Sequence, residues 1–212
     1  MGIHIWTDTS ANLPAALCKK LGIGVLPFHF MRNGGKEECC LDTDAFPYDE
    51  YYEALKAGGT ATTSMINPEA YRQVFEKEAK AGNDVLYIGM SSGISGAYDA
   101  SALAAREVGE EYPDRKIVAF DTKGASLGEG LLVLAAEKLQ KAGADLSRIL
   151  GELNRLRTHM KESFMSNYQT CPLAIFFVSP AAVIQRHVSP TYPGASSHVT
   201  PKPTLSFLPA TM

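Results

Sequence analysis

The run Val85-Leu86-Tyr87-Ile88-Gly89-Met90, followed by Ser91-Ser92-Gly93-Ile94-Ser95-Gly96 and then by a helical pattern over Ala100 to Val108, constrains the fold most. A short apolar run bounded by Gly and Ser reads as a buried strand that opens through a turn into a helix. Strand, loop and helix in that order form the repeating unit of a parallel α/β sheet. The unit sets free backbone N–H groups and hydroxyls at the carboxyl edge of the sheet, where a helix N-terminus favours an anion. The loop carries no Lys, so it is not a Walker phosphate loop. It has no His close in sequence, so it is no obvious nucleophile elbow. A carboxylate suits such a cradle of neutral hydroxyls.

The rest of residues 1–160 repeats the theme. Ile3 to Trp6 reads as a first strand ending at Asp8, and Asp8-Thr9-Ser10 offers caps for a helix around Pro14 to Leu21. Ile23 to Phe30 reads as a second strand, with Gly34-Gly35 turning after it. Helices are expected over Asp49 to Lys56 and over Pro68 to Ala81, the latter with Asn67 as N-cap and Pro68 at its first position. A strand over Ile117 to Phe120 precedes helices over Gly130 to Gly143 and Leu146 to Thr158. The fold class this implies is α/β: a parallel sheet with helices on both faces in residues 1–160, then a separate segment, 161–212.

Charge and cysteine usage exclude several classes. Lys and Arg total 20 against 23 Asp and Glu, a net charge of −3, which argues against nucleic acid as a partner. No apolar run approaches the roughly 20 residues of a membrane span, and the first residues lack the basic and apolar pattern of a signal peptide. Cytoplasmic placement is the expectation. The four Cys form no C-x-x-C and the five His show no ligand spacing, so neither a metal nor a cofactor is expected.

Four hydroxyl-rich segments follow strands or precede helices: Asp8-Thr9-Ser10, Thr60-Ala61-Thr62-Thr63-Ser64, the Ser91 loop, and Asp121-Thr122-Lys123-Gly124-Ala125-Ser126-Leu127-Gly128. In open parallel sheets ligands bind beyond the carboxyl ends of the strands, where such loops converge. Each Ser or Thr taken alone reads more readily as a helix cap than as a ligand group. Asp8 and Asp121 read as caps or loop-fixing groups rather than acids or bases. An enzyme remains the alternative, either an α/β serine hydrolase or phosphotransferase with a Ser of the Ser91 loop as nucleophile, or a flavodoxin-like module holding phosphate or flavin there. The hydrolase reading lacks a base, since His159 falls at a helix terminus and His187 and His198 lie near the end of the chain.

Together the four segments resemble one family. Trp6-Thr7-Asp8-Thr9-Ser10-Ala11-Asn12-Leu13-Pro14 is similar to the T-D-S-T-A-D-L-P opening of the DegV family of bacterial fatty-acid-binding proteins. Thr62-Thr63-Ser64 with Asn67-Pro68 resembles its T-S-Q-P-S-P segment, with Met65 in place of the usual Gln. Ser91 to Tyr98 resembles its S-S-x-L-S-G-T-Y loop, and Asp121 to Gly130 its D-S-x-x-x-S-x-G-x-G stretch. The resemblance implies a two-domain protein that encloses a long-chain fatty acid and presents it to a partner fatty-acid kinase, the carrier itself being no enzyme. It implies carboxylate contacts from Thr63 and Ser64 and from Ser91, Ser92, Ser95 and Gly96. Asp8, Ser10, Asp121 and Ser126 would belong to supporting loops.

Composition changes near Phe164. No Asp or Glu occurs from Ser163 onward, and Arg186 and Lys202 are the only Lys or Arg residues there. Leu173 to Val178 reads as a strand, and beyond Pro190 the Pro, Ser and Thr content favours irregular chain. Arg186-His187-Val188-Ser189 resembles the family's G-R-I-S motif, which implies Arg186 as a guanidinium contact to the head group. The segment 161–212 therefore reads as a partial or aberrant start of a second α/β domain. A shifted reading frame, an error of sequence assignment and a divergent short form are the three explanations that stay open.

Overall fold

The apolar run around Ile88 becomes the central strand of the sheet. The computed structural model describes residues 2–41, 45–165, 174–179 and 182–184. In chain order the elements begin with β1 (Ile3–Asp8), a 3-10 turn (Thr9–Ala11), α1 (Ala15–Leu21), β2 (Gly24–Leu26), β3 (His29–Arg32) and β4 (Glu37–Cys39). They continue with α2 (Tyr48–Lys56), β5 (Ala61–Ser64), α3 (Pro68–Lys80), β6 (Asp84–Gly89), α4 (Ala97–Glu111) and β7 (Ile117–Asp121). Last come α5 (Leu127–Lys141), α6 (Leu146–His159), β8 (Lys161–Met165), β9 (Ala174–Ser179) and β10 (Ala182–Ile184). The chain falls into two units, Met1–Arg157 and Thr158–Met212.

Four strands of the first unit pair in parallel in the order β2-β1-β6-β7. The chain steps from β1 to β2 on one side, then crosses to β6 on the other. That reversal places the topological switch point between β1 and β6, where a crevice opens beyond the strand ends. Val85, Leu86, Tyr87 and Ile88 are each fully buried, as a central parallel strand covered on both faces requires. Val85 and Tyr87 pack with Tyr71 and Phe75 of α3 and Ala104 and Val108 of α4. Leu86 and Ile88 point to the opposite face by strand alternation, and α5 packs on β1 and β6 with Leu132, Val133 and Ala136 buried. The α/β class with a parallel sheet is as the sequence implied.

Three expectations are corrected. The long strand over Ile23 to Phe30 is two strands, because Pro27 cannot donate to a ladder and the chain turns there. Its second half, β3, joins an antiparallel sheet of order β4-β3-β5. The Thr60 to Ser64 segment, expected as a loop, is therefore the strand β5, with Thr63 opposite Phe30 and Ser64 opposite His29. Asp8 does not cap α1: its carboxylate accepts from the Ser10 amide and caps the 3-10 turn, whereas α1 starts after Pro14 with no side-chain cap. The Asn67 cap of α3 is present, its side chain accepting from the Glu69 amide at 2.9 Å.

In the second unit β10, β9 and β8 form an antiparallel sheet in that order. β9 covers most of the strand expected over Leu173 to Val178. Arg186, and the irregular chain expected beyond Pro190, lie outside the described residues.

Candidate ligand-binding site

Strand ends and helix starts bring the sequence-derived segments together through the loop after β7. Its first half is clasped to the Ser91 loop. The Ser91 amide donates to the Gly124 carbonyl at 2.8 Å, and the Ser92 amide donates to Asp121 Oδ1 at 3.2 Å. The Thr122 hydroxyl lies 2.8 Å from the Gly89 carbonyl and 3.0 Å from that of Gly124. Its second half holds the turn after β1. Asn12 Nδ2 donates to Ser126 Oγ at 2.6 Å, and the hydroxyls of Thr7 and Ser10 reach Glu129 at 3.0 and 2.6 Å. The end of β5 meets the Ser91 loop through Met65, since a Cβ on Gly96 would lie 3.1 Å from Met65 Sδ.

The Ser91 loop is not the cradle of free amides that its sequence suggests. Ile94 and Ser95 donate their amides to the Ser91 carbonyl, and Gly93 donates to Ser91 Oγ at 3.1 Å. Ser95 Oγ accepts from the Ala97 amide at 3.2 Å and so tethers the start of α4. With the Ser91 and Ser92 amides also engaged, five successive N–H groups are used inside the protein. Ser91 is buried and acts within the loop. Ser92 is half-buried, and its oxygen accepts from Lys123 Nζ at 2.7 Å. Thr63 is exposed, whereas the Ser64 hydroxyl donates to Glu37 Oε1 at 2.9 Å.

Electrostatics divide the two halves of the site. At Asp121, burial pushes the carboxyl up, but hydrogen bonds from the Lys123 ammonium, the Ser92 hydroxyl and the two amides outweigh it and hold it below its ordinary value. At Asp8, burial dominates and pushes the carboxyl up, against hydrogen bonds from Ser10 and from Tyr87, whose hydroxyl donates at 2.6 Å. Ser10 has one hydroxyl proton and two carboxylates within reach, Asp8 Oδ1 at 2.5 Å and Glu129 Oε2 at 2.6 Å. The Ser10 hydroxyl thus bridges the two carboxylates. This group ties the end of β1 to α5.

Four residues outside the sequence-derived set take part: Thr7, Asn12, Lys123 and Glu129. A signal was present for the segment they meet, because Gly124-Ala125-Ser126-Leu127-Gly128 is a G-x-S-x-G frame between strand and helix. Ser126 adopts φ 54° and ψ −133°, a conformation that costs a non-glycine residue roughly 1–3 kcal/mol. Its oxygen nevertheless receives a proton from Asn12. The oxygens of Ser91, Ser92 and Ser95 likewise face donors.

Fold and site together define a doubly wound α/β domain with hydroxyl-rich loops at the carboxyl ends of its strands, the edge at which open parallel sheets bind ligands. The model of the DegV family, described as an uncharacterised protein family, matches residues 2–168, and the chain belongs to that family. A DegV domain-containing protein of Clostridium perfringens is 34% identical over 145 residues, covering 68% of this chain and 50% of the relative. The DegV domain-containing protein YteA of Lactococcus lactis is 34% identical over 165 residues, covering 78% and 57%. The chain thus spans about half the length of the curated relatives it matches. Among solved structures, a fatty-acid-binding DegV family protein from Thermus thermophilus superposes with a TM-score of 0.67 at 32% identity, covering 77% of this chain and 56% of that one. A Thermotoga maritima protein described as revealing a fatty acid binding function gives a TM-score of 0.68 at 26% identity, covering 79% and 60%. Among the described residues no helix is long and apolar enough to cross a membrane, and no cluster of His, Cys, Asp or Glu could hold a metal ion.

Proposed function

We propose that this chain binds a long-chain fatty acid, with the carboxylate held by side-chain hydroxyls and the tail in an apolar enclosure. The observation that carries the reading is a pairing along two segments that meet in space. Thr63 is followed two residues later by Met65, and Ser92 by Ile94, so each donor is flanked by an apolar side chain that is 53% or 54% exposed. An amphiphile with an anionic head fits that alternation. Burying its alkyl chain against such surfaces is worth about 0.8 kcal/mol per methylene. Thr63 and Ser92 are the head-group donors in this reading, with Ser64, Ser95 and Gly96 bordering them and Ser91 shaping the loop.

The likeness to the Thermus thermophilus protein supports the ligand class, and the engagement of the serine oxygens by donors supports a carrier rather than a hydrolase. In the cell the chain would act in the cytoplasm, presenting the acid to a kinase that phosphorylates the carboxylate. Isothermal titration of the delipidated full chain with palmitate tests the binding step. Saturable binding is expected, with palmitate preferred over its methyl ester; no heat of binding, or equal affinity for the two, sinks the reading.

A further inference from the structure

Lys123 stands where the sequence suggests only neutral donors. Its backbone is left-handed, with φ 54°, which a residue with a Cβ adopts at a cost. From there the ammonium reaches back to Asp121 Oδ2 at 2.6 Å and to Ser92 Oγ at 2.7 Å. The lysine side chain is 58% exposed while that of Asp121 is 7% exposed, so the cation forms the outer member of the pair.

Two consequences follow for a ligand at Ser92. The Ser92 hydroxyl and amide both donate to Asp121 and the Ser92 oxygen accepts from Lys123, so the donor this group has left to offer is the third N–H of the exposed ammonium, whose other two face Asp121 Oδ2 and Ser92 Oγ. An ammonium donates and never accepts, so it selects ligands that accept. The charge balance also depends on Lys123, because without it the Asp121 carboxylate would stand uncompensated beneath the head group. Arg157 of α6 also reaches this loop: its guanidinium donates to the Asp121 carbonyl at 2.6 Å and lies over the Phe120 ring, 5.0 Å from its centroid.

We propose that Lys123 is the residue that sets head-group charge specificity, its remaining N–H and its positive charge favouring a carboxylate over a neutral ester. The proposal rests on the fatty-acid reading above and adds a cation to a site otherwise built from hydroxyls. Removing it should affect the acid and spare the ester.

The experiment titrates palmitate and methyl palmitate into the full chain and into the variants Lys123→Met, Lys123→Arg and Lys123→Met/Asp121→Asn. Lys123→Met should weaken palmitate binding at least about tenfold and leave methyl palmitate within about twofold. Lys123→Arg should restore most of the preference, and the double variant should recover part of it because the exposed carboxylate is gone. A carboxyl-labelled palmitate read by carbon NMR should titrate at higher pH on Lys123→Met than on the parent chain, a shift that general loosening of the loop would not give. Palmitate bound equally by Lys123→Met and the parent, with an unchanged acid-to-ester ratio, overturns the role of Lys123 and leaves the fatty-acid reading standing. A parent chain that binds neither compound overturns both.

Discussion

The Thr7 hydroxyl donates a buried hydrogen bond of 3.0 Å to Glu129 Oε1, across 122 residues of sequence. Thr7 lies near the end of the first strand and Glu129 in the first turn of α5, so the bond ties the N-terminal turn to the loop that holds Ser91. Glu129 is fully buried and also faces Ser10. Its position follows from the Ser126 bend, which swings the start of α5 against the 3-10 turn.

Glu129→Ala should therefore destabilise the first unit by about 2–4 kcal/mol, since it opens a cavity and strips two hydroxyls of their acceptor. A double-mutant cycle with Thr7→Val should give a coupling of roughly 1–2 kcal/mol in urea denaturation. Additive effects would show that the bond contributes nothing beyond packing.

Gly130 is the last glycine of the motif after β7, and its spacing has a packing cause. A Cβ there would stand 2.7 Å from the Ala11 carbonyl and 3.1 Å from Leu13 Cδ2. Gly130→Ala should cost about 1–3 kcal/mol by forcing α5 off the turn, despite the better helix propensity of Ala. Differential scanning calorimetry would show the lower Tm; an unchanged or higher Tm would mean that the turn gives way freely.

Asp8 and Asp121 should give stability slopes of opposite sign. Burial raises the Asp8 pKa above its ordinary 3.8, so its share of stability is complete below that pH and is lost as pH rises through the folded value. The Asp121 pKa is lowered, since its hydrogen bonds outweigh burial, so its share is present above 3.8 and is lost as pH falls through the folded value. Asp8→Asn should flatten the first slope and Asp121→Asn the second, read by urea denaturation between about pH 3 and about pH 8.

Serine substitutions should separate two roles within one loop. Ser92→Ala and Thr63→Ala should each weaken palmitate binding by about 1–3 kcal/mol with little change in Tm. Ser91→Ala should do the reverse, because the buried Ser91 hydroxyl is taken by the Gly93 amide. Ser64→Ala should have the smaller effect on affinity of the two β5 variants, its hydroxyl being engaged by Glu37. Calorimetry paired with thermal melting of each variant measures both quantities.

Elements whose signal lies within one short window were legible in the chain. The apolar run of β6, the Asn67-Pro68 start of α3 and the Ala/Leu pattern of α5 each state their own conformation. β5 did not, because Ala61 to Ser64 is polar and three of its four residues are exposed; its pairing with β3 makes it a strand. Strands of that composition are defined by cross-strand neighbours rather than by alternation.

For the site, the sequence by itself determined the hydroxyl-rich segments, their order and their place after strands. Hydrogen-bond partnership was decided only in the tertiary structure. Residues 31 apart join the Lys123 ammonium to Ser92, and residues 29 apart join the Ser92 amide to Asp121. Whether a Ser or an amide is free for a ligand depends on which other groups reach it first, and no one-dimensional spacing records that. The chain therefore specifies a set of donors, and the packing of α5 and its preceding loop decides which of them remain to hold an anion.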